Sequence, residues 1–490
     1  MICWGSLQVG HRREASDSCR EAEGAILTRL TQAYLLCPLF LFFAGWLKPV
    51  YAVVLTSLLL GALWRMKPAS PERRLSKKLV LSMVGISFLW LCLSGVGGVG
   101  YQNSDFLKHN AILKALVSHP WPVHLTSVEW MDNIQPALVY YLSFYLPAAA
   151  VGKLLGWTAA NAALFLWAWL GLILTFFWCA RFAGWLVLLF PLLGGWDPLG
   201  YLILNRRIPQ PGEHIEWWLH GYPTMDSMNH AFQYSSNSAL LFWVPQHGLG
   251  GWLAAFLLLD EFLHRDHCRF YGVCGLSAAM WSPFAAVGLL PLAVVGGFTR
   301  SFRGLVSVAN LAVLPSLFVL GTYFSTVYIR LAPQFWGIED FRRYFPAWLL
   351  FIALELSVFI IPLVFSRKNL SRKESTLLWV SALTLAFLPF ARMGLYNDLV
   401  MRASIPCLLW MWLLVLKQLS TETLAGKLLI CAVVLGFCVG GQELWRGLRH
   451  YRFGVPEYSS VQRVTDLSDR DVSRQYLGNR DSLFFRYLVR

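Results

Sequence analysis

Asp105, Lys108 and His109 stand at i, i+3 and i+4, so a helix through this segment would put all three on one face. A carboxylate near a helix start, beside an ammonium and an imidazole, can take a proton as a general base. The plainer reading is a capping aspartate with a local ion pair. Asn103 or Ser104 can cap such a helix. Phe106, Leu113, Leu116 and Val117 form an apolar stripe suited to lying on a bilayer surface. Far along the chain, Arg392 and Arg402 flank a short polar segment that holds Asp398. Arginine suits bidentate phosphate contact; the alternative is a pair of interfacial arginines snorkelling to headgroups, with Asp398 pairing to one of them.

Other candidates are less specific. Glu129 and Asp132, near Trp130, suit acceptor hydroxyls or are ordinary loop acids. His214, Glu216, Trp217, Trp218, His220, Asp226 and His230 make a dense polar-aromatic cluster whose spacing fits no standard metal site, so a sugar-facing or lid-like loop is the better reading. His247 follows Pro245 and Gln246 inside an apolar block. A polar residue at such depth faces the protein interior, for function or as a packed histidine. Asp260 and Glu261 form an acid pair, but Arg265 and Asp266 beside them suggest a solvated cytoplasmic loop. Glu339, Asp340, Arg342 and Arg343 read as a charged loop, with phosphate contact as the alternative. Glycines at 95, 97 and 100 spell a GxGxxG string, yet it closes an apolar block rather than joining a strand to a helix, and the nucleotide reading fails.

The elements that must carry these residues are apolar. The 490 residues are 57% hydrophobic and only 14% charged, against roughly 25% charged in soluble domains. Apolar blocks near ~20 residues recur along the chain, the length that spans a bilayer as a helix. The formal charge of +14 would suggest nucleic acid in a soluble protein. Here the basic residues sit between apolar blocks, as cytoplasmic loops do under the positive-inside rule, and no nucleic-acid partner is expected. The 23 tryptophans include many that flank apolar blocks, as interfacial anchors do. The ten cysteines show no CxxC, and Cys37, Cys92, Cys179, Cys407 and Cys438 lie inside apolar blocks, so they read as small core hydrophobes.

Basic clusters at 65–78 and 366–374 belong on the cytoplasmic side. One threading satisfies them: an all-α, polytopic transmembrane helical bundle of about 13 spans with its N-terminus in the cytoplasm. It has a polar N-terminal extension at 1–25, a transmembrane domain at 26–441 and a C-terminal tail at 442–490 outside. The block at 26–47 is too long for a signal-peptide core and lacks a cleavage site, so it is a retained helix. Spans are expected at 26–47, 49–64, 79–99, 137–155, 158–178, 238–259, 270–281, 283–297, 305–328, 347–365, 375–391, 404–416 and 427–441, with a short re-entrant piece at 185–193. The external loops are then 100–136, 194–237, 329–346 and 392–403. Long, acid-bearing, aromatic loops on one face point to a built site.

A large external loop after an early span, holding an acidic residue and a helix parallel to the membrane, resembles the GT-C-type polytopic membrane glycosyltransferases. Segments 105–110, 242–247 and 397–406 are also similar to segments of uncharacterised bacterial multi-spanning proteins of this kind. The resemblance covers residues 79–410 as architecture. The paired-acid signature of several GT-C families is absent from the first loop, where Phe106 follows Asp105. The resemblance implies transfer of a sugar from a polyprenyl-phosphate donor to a glycan, lipid or protein acceptor on the non-cytoplasmic side of a bacterial inner membrane. It implies Asp105 as general base and Arg392 or Arg402 at the phosphate. Lys108, His109, Glu129, Asp132, His247 and Asp398 are the further substrate-binding candidates. No motif calls for a cofactor; a divalent metal is the one the chemistry leaves open. The rival readings are a polysaccharide polymerase or ligase, a lipid-linked glycan transporter using Glu355, which lies mid-span, and a non-enzymatic membrane scaffold.

Overall fold

The computed structural model describes residues 5–66, 75–125, 135–225, 232–300, 302–328, 332–365, 367–394, 396–419, 424–454 and 474–490. Among the described residues 74% are helical, with little sheet. Its first half runs α1 (Gly5–Trp46), α2 (Pro49–Arg65), α3 (Lys77–Cys92), α4 (Phe106–Ser118), β1 (Ala137–Leu138), α5 (Leu146–Leu155), α6 (Trp157–Ala183), α7 (Asp197–Asn205), α8 (Asn237–Trp243) and α9 (Pro245–His264). Then come α10 (Tyr271–Ala279), α11 (Pro283–Thr299), α12 (Phe302–Leu305), α13 (Val308–Phe324), β2 (Gln334–Phe335), α14 (Ile338–Glu355) and α15 (Ser357–Phe365). The chain ends with α16 (Arg372–Phe387), β3 (Ala391–Arg392), α17 (Asp398–Leu419), α18 (Leu424–Arg449) and β4 (Leu477–Gly478).

Among the described residues, three stretches are long and apolar enough to cross a membrane: Ala25–Trp46, Trp157–Asn205 and Asp398–Leu419. Shorter apolar helices include α2, α5, α11 and α13. Helices α9 and α17 are buried along nearly their whole length, as a helix that is apolar all round must be. They are packed close: a Cβ at Gly251 of α9 would meet the Ile405 side chain of α17, and the Trp410 indole donates to the Ala255 carbonyl at 3.1 Å. The outer helices show the opposite pattern. Val53 and Leu60 of α2, Leu290 and Phe298 of α11, and Leu314 and Phe318 of α13 are all exposed. Exposed apolar faces of this extent require a non-aqueous or protein covering.

Several expected spans take a different form. The block at 79–99 leaves the helix after Cys92, because Gly95, Gly97, Gly98 and Gly100 all adopt positive φ and turn the chain back on itself. At 137–155 only the last ten residues are helical; the segment begins as β1, and Leu146 starts α5. The block at 238–259 breaks at Val244, where Pro245 can begin a helix but cannot continue one. The segment 347–365 is divided at Leu356 between α14 and α15. Residues 184–192 form a 3-10 segment where the re-entrant piece was expected.

Two further expectations are corrected by burial. The stripe of α4 does not lie open for a bilayer surface: Phe106, Leu113 and Leu116 are buried, because the helix packs against α5 and α6. Asp260 and Glu261 are not solvated loop acids. They lie buried at the end of α9, where Asp260 faces Arg181 at 3.5 Å and Glu261 accepts from Arg265 at 2.8 Å.

The C-terminal residues fold back over the bundle. β4 pairs antiparallel with β1, Leu477 accepts from the Tyr328 amide, and Leu488 accepts from the Lys48 amide. Phe484 is buried among Phe42 and Tyr323.

Candidate functional site

Helix α4 begins on a turn in which the Asn103 side chain accepts from the Asp105 amide at 3.0 Å. Asn103 is itself fixed by donating to the Phe242 carbonyl at 2.8 Å. So Asn103 rather than Ser104 holds the start of the helix, and it ties that start to the end of α8. One turn on, the Lys108 ammonium reaches the Asp105 carboxylate at 2.6 Å. Burial pushes the Asp105 carboxyl up, but Lys108 and the neighbouring cationic groups outweigh it and hold the group below its usual range. The same pairing overcomes burial at Lys108 and holds the ammonium above its usual range.

His109 feels the same pair but does not line the cavity that Asp105 and Lys108 border. Its Nε2 lies 2.9 Å from the Trp243 carbonyl, which can only accept, so Nε2 carries the proton. Nδ1 then accepts from the Tyr145 hydroxyl at 2.5 Å. With both nitrogens satisfied and the ring buried, its pKa is pushed down to about 4, chiefly by desolvation. His109 fastens α4 to α5 and to the α8–α9 break.

Asp105 and Lys108 open onto a cavity of about 710 Å³. The start of α17 also lines it, where Arg402 sits 3.5 Å from Asp398 at i, i+4. Asp398 also lies in the first turn of α17, where the helix dipole favours a carboxylate. Arg402 is only 9% exposed and among the described residues its Nε has no hydrogen-bond partner. A buried guanidinium N–H without a partner is costly; the Arg402 side chain as a whole lines the cavity. His247, in the first turn of α9, lines the same space.

The site thus gathers Asp105, Lys108, His247, Asp398 and Arg402 from elements up to 297 residues apart in sequence. Arg392 is elsewhere: it lies in β3, paired with Gln334 of β2, and does not line the cavity. Glu129 and Asp132, with Asp226 and His230, fall outside the described residues. From the aromatic cluster, His214 and Trp217 reach the cavity. His214 is oriented by α18: its Nδ1 lies 3.0 Å from buried Glu443, which also pairs with Arg446 and accepts from the Trp243 indole at 3.2 Å. Desolvation pushes the His214 pKa down to about 4. Glu216 is buried and accepts from Gln233 and from the Ser236 amide, so it shapes the loop from within.

Sequence reasoning missed the tyrosines. Tyr140 and Tyr141 lie in the extended segment before α5, and Tyr476 comes from the C-terminal fold-back. The Tyr140 ring is tilted against Tyr141 at 4.5 Å between centroids and meets Tyr476 edge-on at 5.0 Å. The adjacent tyrosines were visible as a pair, but an apolar block hid them; nothing local marked Tyr476. The resulting space has aromatic walls, two ion pairs in its lining and room for a ligand. Among the described residues no group of three or more His, Cys, Asp or Glu side chains is arranged as a metal site. No family model, curated protein or solved structure matches the chain.

Proposed function

We propose that the protein is an integral membrane glycosyltransferase of the GT-C type. It would move a sugar from a polyprenyl-phosphate donor to a glycan, lipid or protein acceptor, outside a bacterial inner membrane. The observation that carries this reading is the shared cavity: Asp105 from α4 and Arg402 from α17 line one aromatic-walled space of about 710 Å³. The exposed apolar faces of α2, α11 and α13 support a lipid setting for it. In the same reading the chain crosses the membrane about 13 times, with its N-terminus in the cytoplasm and α4 on the external side.

The chemistry follows from the residues. The acceptor hydroxyl oxygen attacks the anomeric carbon as the bond from that carbon to the phosphate oxygen breaks. The phosphate leaves with the bonding electron pair, and the hydroxyl proton passes to Asp105. Lys108 keeps Asp105 ionised and so ready to accept. Arg402 faces the charge that develops on the leaving phosphate, with donors already desolvated. Trp217, Trp243 and the tyrosines offer faces on which a sugar ring can pack.

The test is transfer of a radiolabelled sugar from a panel of polyprenyl-phosphate sugars by the purified protein in liposomes. Asp105→Asn should abolish transfer while leaving the thermal unfolding profile near that of the wild type. Full activity in that variant sinks the assignment. A transporter is the second reading, and one observation favours it: Asp197 and Glu355 are both 1% exposed and their carboxyl groups contact each other inside the protein. It predicts substrate flux that stops in Glu355→Gln and continues in Asp105→Asn.

A further inference from the structure

The hydroxyl of Ser282 settles the protonation of His247. Ser282 is fully buried and caps α11, its oxygen accepting from the Ala285 amide at 3.3 Å. The same oxygen lies 2.7 Å from His247 Nδ1. A hydroxyl has one proton to give, and among the described residues that ring nitrogen is the acceptor Ser282 has. Were Nδ1 protonated, the Ser282 proton would be stranded in the interior, which buried groups avoid. Nδ1 therefore accepts and Nε2 carries the hydrogen. Nε2 has no protein partner among the described residues, and the ring borders the cavity, with the Tyr141 ring meeting it edge-on at 5.2 Å.

His247 and Arg402 lie on α9 and α17, the two helices locked together by the Gly251–Ile405 contact and the Trp410–Ala255 hydrogen bond. Their relative position is a property of the packed centre and not of a loop. Both line the same cavity, and Arg402 acts electrostatically on the His247 ring. The His247 N–H and the Arg402 guanidinium, on neighbouring packed helices that both line the cavity, suit one oxygen-rich anion. The α9 N-terminus adds its positive end, since Val244 and His247 both line the space.

We infer that His247 Nε2–H and the Arg402 guanidinium form a two-pronged clamp for a ligand phosphate, with Ser282 as the residue that positions the imidazole as a donor. Asp105 and Lys108 line the same cavity, so a phosphate held at the clamp leaves the rest of the ligand within reach of the α4 pair. This rests on the lipid-phosphate reading of the cavity and adds a neutral donor to it.

The experiment uses the full-length protein in nanodiscs, with farnesyl phosphate and farnesol as paired probes. Binding is followed by quenching of tryptophan fluorescence, since Trp217 and Trp243 line the cavity. Wild-type protein should prefer farnesyl phosphate. His247→Phe should cut that preference about tenfold, the worth of one good neutral hydrogen bond, and His247→Gln, which keeps an N–H, should recover part of it. Solid-state NMR on histidine-labelled protein should show His247 as the neutral Nε2–H tautomer, with Ser282→Ala losing that preference. Thermal unfolding checks that each variant is folded. A preserved phosphate preference in folded His247→Phe, or an Nδ1–H or doubly protonated His247 in the wild type, overturns the clamp and leaves the wider functional reading standing. No preference for phosphate in the wild type removes both.

Discussion

The Lys108 ammonium lies 2.6 Å from the Asp105 carboxylate, so a pair rather than a lone acid faces the cavity. That pairing sets the sign of a pH experiment. Lys108 holds the Asp105 pKa below its usual range against the upward pull of burial. A base must be ionised to act, so activity falls on the acid side as Asp105 takes a proton. Lys108→Gln removes the stabilising charge and leaves the burial, and the Asp105 pKa rises. The acid limb of the kcat/KM profile should therefore move to higher pH, with activity retained best at alkaline pH. An acid limb that stays in place in Lys108→Gln would mean that Asp105 is not the group being titrated.

Arg402 and Arg392 were equivalent in the sequence and are not equivalent in the fold. Arg402 lines the cavity with a desolvated Nε, whereas Arg392 is in the short β2–β3 pairing. Arg402→Lys keeps the charge and loses the forked donor set. Losing a charge-assisted hydrogen bond should lower kcat/KM by roughly tenfold to a hundredfold. Arg392→Ala should stay near the wild type. Steady-state kinetics on the two variants side by side decides it, and equal losses would contradict the placement of the phosphate.

His109 gives a stability prediction independent of activity. In the folded protein its pKa is pushed down to about 4, from an ordinary 6.5. Between those values the unfolded chain binds the extra proton and the native state does not. Stability is therefore complete above about pH 7, falls as pH drops through 6.5, and stops falling near 4. The loss from this one residue is of order 3 kcal/mol. His214 should act in the same direction, since its pKa is also pushed down to about 4. Thermal unfolding in nanodiscs across this range should show the decline, and His109→Gln should flatten part of it. An unchanged slope in that variant would show that another group sets the acid sensitivity.

The class of fold was legible because burial in an apolar setting leaves a crude signal: long hydrophobic blocks, few charges and basic residues between them. Chain breaks were harder. Val244 and the run after Cys92 depend on a proline and on left-handed glycines, and both sit inside blocks that read as continuous. Asp105 was singled out by its position, and Arg402 by its type, yet only packing could place them in one cavity and leave Arg392 outside. The reading of Asp260 and Glu261 failed for a related reason. Charges near basic residues look solvated in sequence, whereas here the end of α9 buries them against Arg181 and Arg265. Tyr476 was invisible because its contribution requires the C-terminal residues to pair with β1, a contact no local pattern encodes.

Packing behind the site gives the last prediction. At Gly288 of α11 an added Cβ would drive into the Ala403 carbonyl oxygen of α17, and that oxygen belongs to the residue next to Arg402. The obstacle is backbone, which cannot swing aside as the end of a side chain can. Gly288→Ala must therefore separate α11 from α17 or shift the start of α17. Overpacking of this kind costs about 1–3 kcal/mol. Because Arg402 moves with Ala403, transfer activity should fall even where the protein remains folded and membrane-inserted. Gly275, which has open space around it, supplies the control: Gly275→Ala places its methyl without a clash and should leave both stability and activity near the wild type. Thermal unfolding and transfer rates measured on both variants test the argument. A Gly288→Ala protein as active as the control would show that the site does not depend on the close approach of α11 to α17.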